Sequence, residues 1–148
     1  MFMIVTGGVA ARLLISFGKD CITMKQIITS PNAPAALGPY SHAVQVGNFL
    51  FTSGQVPLVP ETGKLAGDSI EAQANQVLDN LEQVLKSAGM TFSDVIKTTI
   101  FLTDLTDFAA VNAIYATRFP SEPPARSCVQ VAKLPTGAKM EMELIASK

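Results

Sequence analysis

Between Asp68 and Gly89, apolar residues recur at spacings of three and four: Ile70, Ala74, Val77, Leu78, Leu81, Val84, Leu85 and Ala88. Asp79, Glu82, Gln83 and Lys86 take the opposite side. That period predicts a core-facing helix running to about Ala88. Asp68-Ser69-Ile70-Glu71 has the spacing of an N-cap with a reciprocating glutamate, and Gly89 stands where a left-handed cap ends the helix. A second helix is expected from about Asp107 to Phe119, capped from within 103–106, with Phe108, Val111, Tyr115 and Phe119 on its stripe. Asn112 falls on the same stripe. A buried amide needs partners, so Asn112 either ties down a loop backbone or addresses a ligand.

The remaining patterned stretches alternate. Ile27 and Ile28 predict a brief first strand, and Val44/Val46 and Phe49/Phe51 flank Gly47-Asn48, a tight hairpin signal. Residues 95–102 are rich in branched and aromatic residues, as a strand requires. After Pro123-Pro124, alternation puts Arg126, Cys128 and Gln130 on one face and Ser127, Val129 and Val131 on the other. Leu134-Pro135-Thr136-Gly137 then turns the chain into a last strand. There Met140, Met142 and Leu144 share one face, and Glu141, Glu143 and Ile145 the other. The order is strand, hairpin, helix, strand, helix, hairpin. Two helices can cover one face of such a sheet, so the pattern implies an α+β fold with a single mixed sheet. The opposite face carries apolar groups as well, which predicts burial against sister subunits.

With 148 residues, 48% of them hydrophobic, the chain can bury a core as one domain without metal or disulfide. Cys21 and Cys128 lie far apart and His42 is the single histidine, so no zinc pattern forms and reduced cytosolic thiols are the simplest reading. A net charge of -1 with thinly spread lysines argues against a groove for nucleic acid. Residues 1–23 differ from the rest. Their apolar run is interrupted too early to span a bilayer, and they lack the flanks of a secretory signal. They are expected to be an extension to a working domain of residues 24–148, with organelle targeting as the alternative to a cytoplasmic protein.

Candidate chemistry centres on Arg126 and Cys128. A planar guanidinium offers two parallel donors to a small carboxylate. An arbitrary Arg-x-Cys, however, is more often an edge arginine paired with an acid and a cysteine packed as a small hydrophobe. Ser53-Gly54-Gln55 closes a strand with a hydroxyl and a glycine whose bare backbone admits close approach, or forms a bulge with a satisfied serine. Tyr40, at the edge of a Pro-rich loop, is either a lid over a site or half-buried with its hydroxyl in water.

Five stretches, in order, carry a resemblance: Asn32 to Tyr40, Phe51 to Gln55, Lys97 to Thr99, Asp107 to Tyr115 and Pro124 to Val129. Together they closely resemble the reactive intermediate deaminase (Rid) family, in its RidA branch, over Lys25 to about Ser147. The resemblance implies a chorismate-mutase-like homotrimer with sites between subunits. Its activity would be hydrolysis of 2-enamine and 2-imine acids to 2-oxoacids and ammonia, without cofactor or metal. It further implies that Arg126 holds the substrate carboxylate and that Tyr40, Ser53, Gly54, Asn112 and Cys128 line the pocket. Glu141 would position or deprotonate the attacking water, or pair with Arg126 across strands or subunits. Two rivals stand beside this reading: a non-catalytic trimeric sensor of 2-oxoacids, and a single-stranded RNA endoribonuclease.

Overall fold

The computed structural model describes residues 24–148; the expectations placed on residues 1–23 and on Cys21 lie outside the described residues. Helix α1 spans Ile70–Ser87 and buries Ile70, Ala74, Val77, Leu78, Leu81, Val84 and Leu85, the expected stripe. Its cap is Ser69, whose Oγ accepts from the Ala72 N–H at 3.1 Å. Ser69, not Asp68, therefore sets the start. Glu71 becomes the second helical residue instead of the third and cannot reach back to close a box, although its charge still suits the helix N-terminus. Gly89 adopts φ +68° and ends the helix as anticipated. Two polar residues on the buried face of α1 fasten loops. Asn80 Nδ2 donates to the Val56 and Leu58 carbonyls at 3.1 and 3.0 Å, and Gln73 Oε1 accepts from the Lys139 N–H at 2.8 Å.

Helix α2, Phe108–Arg118, packs beside α1, with Arg118 bonded to Asp79 at 2.6 Å. A one-turn helix over Leu105–Asp107 precedes it, opened by Asp104, whose carboxylate accepts from the Thr106 N–H at 2.8 Å. Six strands form one sheet: β1 Gln26–Ile28, β2 Ala43–Val46, β3 Phe49–Thr52, β4 Val95–Leu102, β5 Ala125–Gln130 and β6 Met140–Ser147. Their spatial order is β1-β2-β3-β6-β4-β5, with β4 and β5 parallel and every other pair antiparallel. Both helices lie on one face, so the expected α+β architecture with a mixed sheet holds.

The closing hairpin does not form. β6 enters between β3 and β4, while β5 is an edge strand on the far side of β4. The physical reason is burial. Met140, Met142, Leu144 and Ala146 are all 2% exposed or less, and such a strand needs neighbours on both sides and helices above it. β5, with four of six residues exposed, does not. Leu134–Gly137 is thus the middle of a connection that steps over the end of β4, tied there by the Thr103 N–H to the Lys139 carbonyl at 3.0 Å.

Register assigns the faces. Thr98, Ile100 and Leu102 of β4 stand beside Arg126, Cys128 and Gln130 of β5 on the helix side, next to Met142 and Leu144 of β6. The helix-free side carries Phe49, Phe51, Ile145, Glu143, Glu141, Phe101 and Val129 in neighbouring registers. Phe49, Phe51 and Val129 are each more than 40% exposed, which makes this an apolar face open to solvent in the single chain.

Candidate active site

Glu141 is held by the middle of the sheet, with Met140 and Met142 locked in the core on either side of it. Its carboxylate lies directly over Gly54. A Cβ built on Gly54 would collide with a carboxylate oxygen and come within 2.8 Å of the carboxyl carbon. The glycine expected to admit a ligand therefore first admits Glu141. Burial, then the neighbouring Glu143, pushes the Glu141 carboxyl above the usual glutamate value. Beside it Ser53 is the satisfied serine, its Oγ donating to the Ser41 carbonyl at 2.6 Å. Tyr40 curls back so that its hydroxyl oxygen accepts from the Leu37 N–H at 3.0 Å, and its ring remains exposed. Tyr40, Ser53, Gly54 and Glu141 line one cavity of about 300 Å³. Leu37, Val56 and Pro135 complete its wall, three residues that the sequence did not single out. The cavity is mainly apolar around one carboxylate of raised affinity for protons, a setting suited to general base chemistry.

Arg126 is elsewhere. Its guanidinium carbon sits 4.7 Å from the Tyr115 ring centroid and 5.5 Å from that of Phe108, stacked on α2 on the helix side of the sheet. Tyr115 is braced by a 3.0 Å hydrogen bond between its hydroxyl and Thr98 Oγ1. Burial pushes its phenol up, against the opposing pull of the Thr98 bond and the Arg126 charge. Among the described residues no carboxylate lies within 4.0 Å of Arg126 in an ion pair. The edge-strand salt bridge that spacing favoured is not made among the described residues, and the guanidinium rests on an aromatic platform. Asn112 lies between Phe108 and Tyr115 on the same helical stripe, half-buried, and no loop-tie is found for it among the described residues. Cys128 follows on the same face. Burial raises its thiol, with Arg126 pulling the other way, so at neutral pH it is a protonated thiol and a poor nucleophile.

The sequence-predicted residues thus fall into two groups. Tyr40, Ser53, Gly54 and Glu141 meet in a cavity on one side, and Arg126, Asn112 and Cys128 gather on the other. Glu141 is in register with Phe101 and Arg126 with Thr98, which point to opposite faces of β4. A cross-strand Arg126–Glu141 pair within one chain is therefore ruled out, because parity along β4 sends the two side chains apart. Phe108 and Tyr115 were legible only as core. Their role beneath the guanidinium depends on the parallel β4–β5 pairing, which no local pattern announces.

The described residues form a two-helix, single-sheet domain with a carboxylate in a cavity on one face and a guanidinium stacked on two aromatic rings on the other. A family model described as Endoribonuclease L-PSP matches residues 30–148, and the chain belongs to that family, in its reactive intermediate deaminase group. It is 52% identical over 123 residues to Reactive Intermediate Deaminase A, chloroplastic, of Arabidopsis thaliana, covering 83% of this chain and 66% of that protein. It is 48% identical over 126 residues to 2-iminobutanoate/2-iminopropanoate deaminase of Escherichia coli, covering 83% and 98%. Among solved structures, RidA from an Antarctic Psychrobacter superposes with a TM-score of 0.81 at 43% identity, covering 83% of this chain and 99% of that one. A Rid family protein of Yersinia pestis gives 0.82 at 46%, covering 84% and 100%.

Proposed function

We propose that the protein hydrolyses reactive 2-imino acids, the tautomers of 2-enamine acids such as 2-aminoacrylate, to 2-oxoacids and ammonia. The observation that carries this reading is the guanidinium of Arg126 on its aromatic platform, in no ion pair among the described residues, taken with relatives at 48–52% identity named for that reaction. A protonated imine carbon is already electrophilic, so the task is to hold a carboxylate and a water in place. Arg126 binds the carboxylate through paired donors. Glu141 takes a proton from water as its oxygen bonds to C2, giving a carbinolamine. Glu141 returns that proton to nitrogen, the C–N bond breaks to release ammonia as Glu141 takes the C2 hydroxyl proton and leaves a carbonyl, and that proton passes to the ammonia, which departs as ammonium. Positioning supplies up to about 7 to 11 kcal/mol of the barrier and the base about a hundredfold or more. Cys128 and Asn112 shape the carboxylate end, and Tyr40, Ser53 and Gly54 the water end.

Because the half-sites lie on opposite faces, the working site joins Arg126 of one copy to Glu141 of another, in a homotrimer closed over the apolar sheet face. The residues that work are those of one domain, 24–148, with 1–23 an extension to it. The proposed compartment is the cytoplasm. Among the described residues no helix is long and apolar enough to cross a membrane, one relative is named as chloroplastic, and a reporter fused to residues 1–23 tests import. The enzymatic test follows 2-oxoacid release while a threonine dehydratase generates the imine. Arg126→Ala and Glu141→Gln should each lose activity by about 10- to 1,000-fold. Unfolded and reassembled together, they should regain about a quarter of wild-type sites by random mixing in a ring. Full activity of a folded Arg126→Ala protein rejects the role of the arginine, and no recovery on mixing rejects the shared site. The 2-oxoacid sensor reading requires pyruvate binding without faster imine hydrolysis.

A further inference from the structure

In a 2-enamine acid the double bond joins C2 to C3, and a proton delivered to C3 converts it to the imine. With the carboxylate end held by Arg126 of another copy, the cavity around Glu141 receives C2 and the C3 end beyond it. C3 is one bond from C2, so a carboxyl group set to serve a water at C2 reaches C3 as well. Leu37, Val56 and Pro135 wall the cavity with carbon and keep water from that end.

Proton donors at the cavity are few. Ser53 Oγ commits its proton to the Ser41 carbonyl at 2.6 Å, and the Tyr40 hydroxyl is drawn back to the Leu37 N–H at 3.0 Å. Glu141 is the one carboxyl among the lining residues. β6 fixes it there, since Met140 and Met142 are fully buried on either side, and it lies against the bare backbone of Gly54. Burial, then Glu143, lets it keep a proton above the ordinary glutamate range. Among the described residues no cation pairs with it. Lys97, on the same face of the sheet, instead donates to Ser127 Oγ at 2.8 Å. Arg126 of the other copy is engaged by the substrate carboxylate. The acid form of Glu141 therefore stands ready beside the carboxylate form.

We propose that the protein is also an enamine–imine tautomerase, in which Glu141 protonates C3 of a bound 2-enamine acid before it serves as the base for hydrolysis. The C2=C3 electron pair takes the proton as the Glu141 O–H bond breaks, and the nitrogen lone pair closes the C2=N bond. An iminium and a Glu141 carboxylate remain. That pair is the starting point of water attack, so the acid step prepares the base step. After ammonium leaves with the last proton, Glu141 takes one from solvent for the next enamine. The sum is one enamine, one water and one proton giving one 2-oxoacid and one ammonium. An imine that arrives preformed meets the carboxylate form, and one side chain thus serves both tautomers.

The tautomerase rests on the deaminase reading of the same cavity, so the test follows the two steps separately, on the full chain. In D2O, threonine and a dehydratase that alone yields an even mixture at C3 supply 2-aminocrotonate, whose C3 becomes a stereocentre on deuteration. The 2-oxobutanoate is reduced as it forms, and its C3 configuration is read by NMR. Hydrolysis alone is followed on an imine that an amino-acid oxidase makes directly. A positioned acid contributes about a hundredfold or more, so wild type should give one C3 enantiomer in large excess. The ultraviolet absorbance of the enamine should also decay faster in proportion to added protein. Glu141→Gln should return the even mixture. An even mixture with wild type, or an excess that survives in Glu141→Gln, overturns the tautomerase, and the wild-type mixture alone decides should the variant not fold. Faster hydrolysis of the preformed imine with an even C3 mixture leaves the deaminase reading standing by itself. A C3 excess without faster hydrolysis of that imine sinks the deaminase reading and leaves the tautomerase.

Discussion

Gly54→Ala adds a single methyl group and should cripple the enzyme without unfolding it. The φ of Gly54 lies outside the left-handed region, so alanine is tolerated by the backbone there. The collision is with one group. The new Cβ would overlap a Glu141 oxygen, reach the carboxyl carbon at 2.8 Å and Cγ at 3.0 Å. Met140 and Met142 are fully buried on either side, so β6 cannot retreat and the side chain must swing instead. Leaving its rotamer costs about 0.5 to 1.5 kcal/mol, a small loss of stability. Losing an aligned base costs about a hundred- to ten-thousandfold in kcat, which is about 2.7 to 5.5 kcal/mol of barrier. The assay is the dehydratase-coupled release of 2-oxoacid, with thermal unfolding in parallel. In a Glu141→Ala background, Gly54→Ala should cost almost nothing more, because both changes remove the same group. A folded Gly54→Ala protein with undiminished kcat, or effects that multiply in the double variant, would show that the carboxylate over this glycine is not the base.

Four further outcomes follow from the same geometry. Glu141 carries its proton to higher pH folded than unfolded, so its contribution to stability is complete at low pH and falls as pH rises through the raised value; Glu141→Gln should be the more stable protein at neutral pH by denaturant melting. The same group gives kcat an acid limb above the ordinary glutamate range, and Glu143→Gln, by removing the second cause of the shift, should move that limb to lower pH in a pH–rate profile. Tyr115→Leu removes the ring closest to Arg126 and should raise KM by about 2- to 5-fold, as loss of a cation–π contact of about 0.5 to 1 kcal/mol requires, while Tyr115→Phe keeps the ring and should keep most of KM. Cys128→Ser should retain most activity, and alkylation of the thiol should be slow at neutral pH and quicken in alkali, measured by mass spectrometry of the labelled chain.

Much of this was legible because one-dimensional periodicity reports faces. The stripe from Ile70 to Leu85 and the alternation of Met140, Met142 and Leu144 each named a buried side correctly. Adjacency was not legible. Leu134–Gly137 has turn residues in a turn-like place, and only the near-total burial of β6, a property of its neighbours, shows that the chain steps over β4 there. The same gap affected the site. Arg126 and Glu141 were placed on their strands with the right parity, yet whether two parities coincide depends on the strand between them, and β4 sets them apart. Phe108 and Tyr115 were assigned to the core because nothing in a helical stripe says that an arginine from a later strand will rest upon it.

The position of β6 has a consequence for how the protein comes into being. Among the described residues, 26–52 form one three-stranded unit and β4 with β5 another, and in the sheet these units touch only through β6, which follows the other five strands in the chain. Until it emerges, β3 and β4 each present an unpaired edge, and the two units have no sheet contact to register them. The sheet is therefore complete only once residues 140–147 have been made. The strand that completes it also delivers Glu141, so a chain cut short before Met140 forfeits architecture and chemistry in a single loss.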